Sequence, residues 1–480
     1  MRLPFALVLP LVPLALAAAE KTLPAPPPPP WMLSAEQRQH QSRLADADRQ
    51  RLLDLLGVSE TKNLPPEETD PRRPAGTARP AGNPNGWTDS AGHFHVRSPW
   101  GNWTNYDLAK ADTGSPLPDP LRLADGRPVP DAATWREQRR PELLELFARE
   151  IYGRIPAATP RVTFEQVASS VAASPGVKTK YILGTVDNSR HPAASPAIVL
   201  KLHLPASATG PVPVMVAIGD FEPPPGFPRQ PGPSAKDLVL ARGWGYATYD
   251  PYLVQPDTGA GLTEGIIGLV NEGRPRTPDQ WGALAAWSWG LSRVIDYLET
   301  DPDVDARRLG VEGHSRFGKT ALLAAALDPR WAVAYASCSG EGGAKLHRHD
   351  FGESVDIVAW GGEYHWMAGN FLKYAGRWSA LPVDQHELIA LVAPRPLLVT
   401  GGTEDLWPDP VGMFQACVAA GPVYRLLGKA DLGTTEFPAP DVALAAGDLA
   451  FRLHTGGHTD LPDWPVFLDF AARHFAQPAR

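Results

Sequence analysis

From Gly310 to Pro329 the chain reads GVEGHSRFGKTALLAAALDP. A short apolar run meets a glycine-bracketed bend, and the bend opens straight into a helix-like stretch. A strand that turns this sharply into a helix lifts the residue at its apex out of the sheet edge at the strand's end. The flanking segments agree with that reading. AIVLKLHLP (Ala197–Pro205), VPVMVAIG (Val212–Gly219) and GYATYDP (Gly245–Pro251) are short runs closed by turn residues, so each reads as a strand. TPDQWGALAAWSWGLSRVIDYLETDP reads as a helix, with Thr277 as cap, Pro278 in the first position and Gln280 completing a capping box. Leu284, Trp287, Leu291, Val294, Ile295 and Leu298 form its apolar stripe, and Asp301-Pro302 stops it. A short strand at Leu309–Glu312, a helix to Leu327, strands at Ala332–Ser337 and Arg395–Gly402, and a closing helix in WPVFLDFAARHF follow. This alternation predicts an α/β fold with a mostly parallel central sheet sandwiched between helices.

The N-terminus has a different character. MRLPFALVLPLVPLALAAAE places Arg2 before an apolar run, with Ala17 and Ala19 in an A-x-A arrangement. It reads as a signal peptide over residues 1–19, which implies export to the periplasm or beyond the cell. The apolar run is too short, and too interrupted by Pro10 and Pro13, for a membrane anchor. Residues 20–95 read as a proline-rich tail with a helix at 35–58, and 96–480 as the catalytic unit. The chain carries a formal net charge of -8 without a basic block, so nothing supports nucleic-acid binding. It has only 2 cysteines, Cys338 and Cys417, which make no disulfide framework and read as buried free thiols. There is no HExxH or EF-hand pattern, and no metal or cofactor is expected.

The bend is where chemistry is expected. A serine at the apex of a strand-bend-helix has its hydroxyl exposed, and the first helical amides face whatever lies before it. The common form is G-x-S-x-G. Here Gly313, Ser315 and Gly318 place the second glycine one position late. The alternative is a serine that merely caps the helix. Its partners favour catalysis. In an α/β-hydrolase fold the chain order is serine, acid, histidine. After RPLLVTGG come Glu404 and Asp405, and after the next apolar stretch comes His458, preceded by Gly456 and Gly457. Ser315, Asp405 and His458 thus fit the order, with Glu404 and Glu341 as alternative acids.

GHSRFGK (Gly313–Lys319) resembles the G-[CH]-S-R-x-G-K elbow of the glucuronoyl esterases, carbohydrate esterase family 15. GAGLTEGIIGLVNEG, SGEGGAKL, FGES, DQHELIALVAPRPLLV and TEDLWPDP resemble its bacterial branch, and the likeness runs from about Leu117 to the C-terminus. The resemblance implies a monomeric serine esterase that cleaves the ester between glucuronic acid groups of xylan and lignin alcohols. It implies Arg316 in the oxyanion site, and Lys319, Glu353 and Trp407 around the sugar. Fungal members carry the acid just before an SGxGG turn, where this chain has Cys338. Some bacterial members supply it after the later strand, where this chain has Asp405. His314 replaces the fungal cysteine beside the serine, so the disulfide formed there is not expected. An acetyl xylan esterase, or a non-catalytic sugar-binding protein on a hydrolase scaffold, remain the competing readings.

Overall fold

The computed structural model describes residues 23–24, 32–59, 87–88, 94–97, 103–111, 114–168, 175–219 and 232–476. The signal-like segment at 1–19, the proline run at 26–30 and residues 60–86 of the tail lie outside them. Among the described residues no helix is long and apolar enough to cross a membrane.

A small antiparallel sheet joins β1 (Trp87–Thr88), β2 (Phe94–Arg97) and β3 (Trp103–Thr104). The remaining strands are β4 (Val162–Val167), β5 (Val177–Val186), β6 (Ala197–Pro205), β7 (Val212–Ile218), β8 (Gly245–Tyr249), β9 (Val304–His314), β10 (Val333–Ser337), β11 (Leu397–Gly402), β12 (Ala443–Leu444) and β13 (Leu449–His454). They form one 10-stranded sheet in the order β12-β13-β11-β10-β9-β7-β8-β6-β5-β4. From β13 to β8 every pairing is parallel, and the outer pairings are antiparallel.

Burial follows that division. Strands β7, β10 and β11 are buried along their whole length, as expected where helices cover both faces. Strand β5, next to the edge, alternates instead, because one face meets solvent. Alternate residues of β7 feed two separate cores. Val214 and Val216 join the larger one, under the helices Ala283–Leu298, Arg316–Leu327, Gln385–Val392 and Pro410–Leu426. Met215 joins the smaller, with Val239, Trp464 and Phe467 of the helices Ala235–Ala241 and Trp464–Phe475. Each Leu, Ile or Phe so buried contributes about 1.5–3 kcal/mol over its exposed state.

The stripe Leu284, Trp287, Leu291, Val294, Ile295 and Leu298 is fully buried. The helix that carries it nevertheless starts at Ala283, not at Thr277. Gln280 does accept from the Thr277 amide (2.7 Å), but it closes a turn. The Asp279 carbonyl there accepts from the Arg154 amide (2.8 Å), and Trp281 is buried beside it. Tertiary contacts have captured the local capping signal. Strand β9 is also longer than Leu309–Glu312, because its start extends beside β7.

The N-terminal helix Ala35–Leu56 is capped by Ser34 and ended by Gly57 in the left-handed region (φ 63°). Most of it is polar and exposed, yet Leu52 and Leu53 are buried against the larger core. Tyr364 donates to the Ala45 carbonyl at 2.9 Å, and Arg49 to that of Trp360 at 2.9 Å.

Candidate active site

Strand β9 ends at His314 and the elbow helix starts at Arg316, so Ser315 alone makes the bend. It does so at φ 58°, ψ -127°, a conformation costly for any residue with a side chain. Such strain persists only where the surroundings impose it. A Cβ at Gly313 would strike the Phe317 carbonyl, and one at Gly318 would lie 2.6 Å from the Ser337 carbonyl oxygen. Both glycines are therefore required by close backbone approach, which accounts for the late second glycine. The Ser315 amide donates to the Ser337 carbonyl at 2.9 Å, tying the bend to β10. The Ser315 side chain does not cap the helix, which removes the capping alternative.

His458 arrives from the loop after β13. The loop is stitched to the end of β11: the Glu404 amide donates to the Gly456 carbonyl (2.8 Å), and the Gly456 amide to the Thr403 hydroxyl (3.0 Å). A Cβ on Gly402 would meet the Gly457 carbonyl oxygen at 2.5 Å, so the two loops touch backbone to backbone. His458 Nδ1 lies 2.6 Å from Asp405 Oδ2. The imidazole stands over His314, the residue before Ser315, with ring centroids 4.3 Å apart. Burial, then His458 and His454, lower the His314 pKa to about 3, so that ring stays neutral.

The alternative acids are engaged elsewhere. Glu341 is fully buried and paired with Lys345 at 3.2 Å and with His347. Glu404 is exposed, and only its backbone joins the loop. Cys338 follows β10 at φ 45°, buried, with burial and then Asp405 pushing its thiol far up. Both cysteines are free and buried.

Arg316 pairs with Asp257, Nη1 to Oδ2 at 2.5 Å, and lies over the Trp366 ring at 5.3 Å. Asp257 Oδ1 also pairs with His365 Nε2 (2.9 Å) and accepts from Trp366 Nε1 (2.7 Å). Burial works against the Asp257 charge, but His365, Arg316 and Trp366 outweigh it and hold the carboxyl well below its usual range. Lys319, one helical turn beyond the serine, is buried. Its ammonium donates to Glu353 Oε2 (2.6 Å) and to the Ser339 carbonyl (2.8 Å). Two of its three protons are thus committed. The Glu353 amide donates to the Trp407 carbonyl at 2.7 Å, and Trp407 itself is half-buried. Lys319, Glu353 and Trp407 therefore form one connected wall.

Four contributors escaped the sequence: Asp257, His365, Trp366 and Tyr106. Burial, then the charges of Asp405 and Glu353, push the Tyr106 hydroxyl up to about 12. No motif marks any of the four, and only the folded chain brings them beside the elbow.

The arrangement combines a half-buried serine on a strained bend, a carboxylate-held imidazole against the residue before it and a fixed guanidinium. Comparison with known proteins agrees. A family model described as glucuronyl esterase, fungi, matches residues 189–428. A carbohydrate esterase, MZ0003, from an unknown prokaryotic organism is 34% identical over 77% of this chain and 92% of its own. A 4-O-methyl-glucuronoyl methylesterase of Schizophyllum commune is 32% identical over 66% of this chain and 75% of its own. A solved family 15 glucuronoyl esterase from Teredinibacter turnerae superposes with TM-score 0.77 at 40% identity, covering 90% of this chain and 100% of that one. The chain belongs to the glucuronoyl esterases, carbohydrate esterase family 15.

Proposed function

We propose that this protein hydrolyses esters of glucuronic acid, including those joining xylan side groups to lignin alcohols, through an acyl-enzyme on Ser315. The observation that carries the proposal is the Asp405–His458 pair at 2.6 Å, its imidazole in tilted contact with the residue that precedes a strained serine. With Nδ1 turned to Asp405, Nε2 is left to accept the Ser315 proton as Oγ attacks the ester carbonyl. Asp405 fixes that tautomer and stabilises the imidazolium. His458 then returns the proton to the departing alcohol, and water, activated by the same imidazole, releases the acid.

Arg316 supports the oxyanion with its side chain. A guanidinium stays charged at any working pH, and Asp257, with His365 and Trp366, holds it in place before charge develops. The free proton of Lys319, the Glu353 carboxylate and the half-exposed Trp407 suit a sugar ring with hydroxyls on one side and C–H groups on the other. The names of the relatives, glucuronoyl esterase and 4-O-methyl-glucuronoyl methylesterase, support that substrate class.

The test is hydrolysis of benzyl glucuronate by the wild type and by Ser315→Ala. The variant should lose at least about 10⁴-fold in kcat with an unchanged unfolding midpoint. Faster release of acetate from acetylated xylan than of alcohol from glucuronate esters would reassign the substrate. We also propose that the protein is exported and acts as a monomer. The Arg2-led apolar run and the Ala17–Ala19 pattern support export, and a secreted chain beginning at Glu20 is the expected product. Light scattering checks the monomer.

A further inference from the structure

Cys338 takes no part in the reaction just described, yet it lies inside the catalytic cluster. Its Sγ, a carboxylate oxygen of Asp405 and a ring nitrogen of His458 all lie within 4.8 Å of one another. The three residues come from three separate strand ends, after β10, β11 and β13, so no sequence motif could have shown them together. Backbone hydrogen bonds hold them there. The Cys338 amide donates to the Thr400 carbonyl (2.8 Å), the Asp405 amide to that of Gly402 (3.2 Å), and the Thr403 amide to that of His454 (2.9 Å).

A tetrahedral Zn²⁺ bound at about 2.0–2.3 Å to sulfur, nitrogen and oxygen needs its donors roughly 3.3–3.8 Å apart. The observed limit of 4.8 Å is within a modest side-chain adjustment of that spacing. Thiolate, imidazole and carboxylate are also the donor set of a borderline-soft metal, and not of Mg²⁺ or Ca²⁺. The His458 side chain is 42% exposed, which opens a path for the ion and leaves room for water as a fourth ligand.

We propose that Cys338, Asp405 and His458 form an inhibitory site for a thiophilic divalent cation, Zn²⁺ being the probe of choice. This rests on the triad reading above. The ion displaces the thiol proton to solvent, so that M²⁺ and Cys–SH give a metal thiolate and H⁺. It binds Asp405 through oxygen and His458 through Nδ1, and the Nδ1 proton moves to Nε2. That nitrogen can then no longer accept from Ser315, and turnover stops while the fold stays intact. A chelator reverses the sequence. The cysteine that stands where other family members carry the acid would thus make the site sensitive to metal.

The experiment is a Zn²⁺ titration of esterase activity in chelator-treated wild type and Cys338→Ala, with EDTA reversal. Co²⁺ spectra of both proteins are recorded alongside. The wild type should be inhibited reversibly, and the half-inhibiting concentration should rise at least about tenfold in Cys338→Ala. Co²⁺ should give a near-ultraviolet thiolate-to-metal band in the wild type that the variant lacks. Equal Zn²⁺ sensitivity of the two proteins, or a wild type without the thiolate band, overturns the proposal. If Cys338→Ala fails to fold, the wild-type cobalt spectrum still decides. A metal-free wild type with no esterase activity would instead contradict the triad reading, while the cobalt band reports on the metal site alone.

Discussion

Two histidine–carboxylate pairs stand a few residues apart at the same end of the sheet, and their chemistry is set by what surrounds them. His454, the last residue of β13, pairs with Asp463 at 2.8 Å, and its Nε2 lies 3.0 Å from the Gly457 carbonyl oxygen. It is wholly buried, and Asp463 also holds Arg452. His458 pairs with Asp405 at 2.6 Å, but its side chain is 42% exposed, and Nε2 makes no hydrogen bond among the described residues. Burial opposes protonation of His454 while Asp463 more than restores it, so that its pKa is raised. The first pair spends both nitrogens on structure and props the glycine loop. The second leaves Nε2 without a hydrogen bond among the described residues. The same two residue types are scaffold in one place and, in the mechanism proposed above, proton carrier in the other.

The largest test of that contrast is Asp405→Asn. An amide no longer holds the reactive tautomer, and kcat should fall by about 10³–10⁴ with little change in stability. The matching change in the other pair, Asp463→Asn, should act through the fold. It strips a buried charge from Arg452 and His454, which costs about 3–5 kcal/mol. The expected outcome is a lower unfolding midpoint, read by thermal melts, with residual activity on folded protein well above that of Asp405→Asn. If the two variants lost activity and stability in the same proportions, the distinction between the pairs would fail.

A third change addresses the loop that joins them. Asp460 lies two residues after His458. Its Oδ2 accepts from Trp464 Nε1 (2.8 Å), and its backbone carbonyl from the Tyr335 hydroxyl (3.1 Å). Glu312, on β9 just before the elbow, is buried against it. Burial, and then Asp460, raise the Glu312 carboxyl well above its usual range. Burial also raises Asp460. A carboxyl raised on folding stabilises the native state below its unfolded pKa, and that contribution is lost as pH climbs through the folded value. Glu312→Gln should therefore flatten the decline of the melting temperature from pH 5 to 9. A slope identical to the wild type's would contradict it. The smallest effect is expected for Cys338→Ala in metal-free buffer, with kcat within about twofold of the wild type, as the proposed assignment of the acid to Asp405 requires.

What could be read in advance divides along the same line. The elbow and the strand alternation were legible because each depends on a short local pattern, and the fold sets Asp405 against His458 and His458 against His314, as the expected order of Ser315, Asp405 and His458 requires. Asp257, His365, Trp366 and Tyr106 were not, since each reaches the site through a contact far along the chain. The capping signal at Thr277 misled for the converse reason. Its local hydrogen bond forms, but the contacts of Asp279 with Arg154 and the burial of Trp281 delay the helix to Ala283. Asp405 was preferred to Glu341 from the sequence alone, and the fold adds the reason: it buries Glu341 beside Lys345 and His347.

Covalent capture tests the central claim most directly. A phosphonate ester reacts only with a serine whose proton can be taken by a held imidazole. Peptide mass spectrometry of the inactivated protein should find one adduct, on Ser315, formed in the wild type and nearly absent in Asp405→Asn. Labelling on any other residue, or inactivation that leaves Ser315 unmodified, would contradict the account.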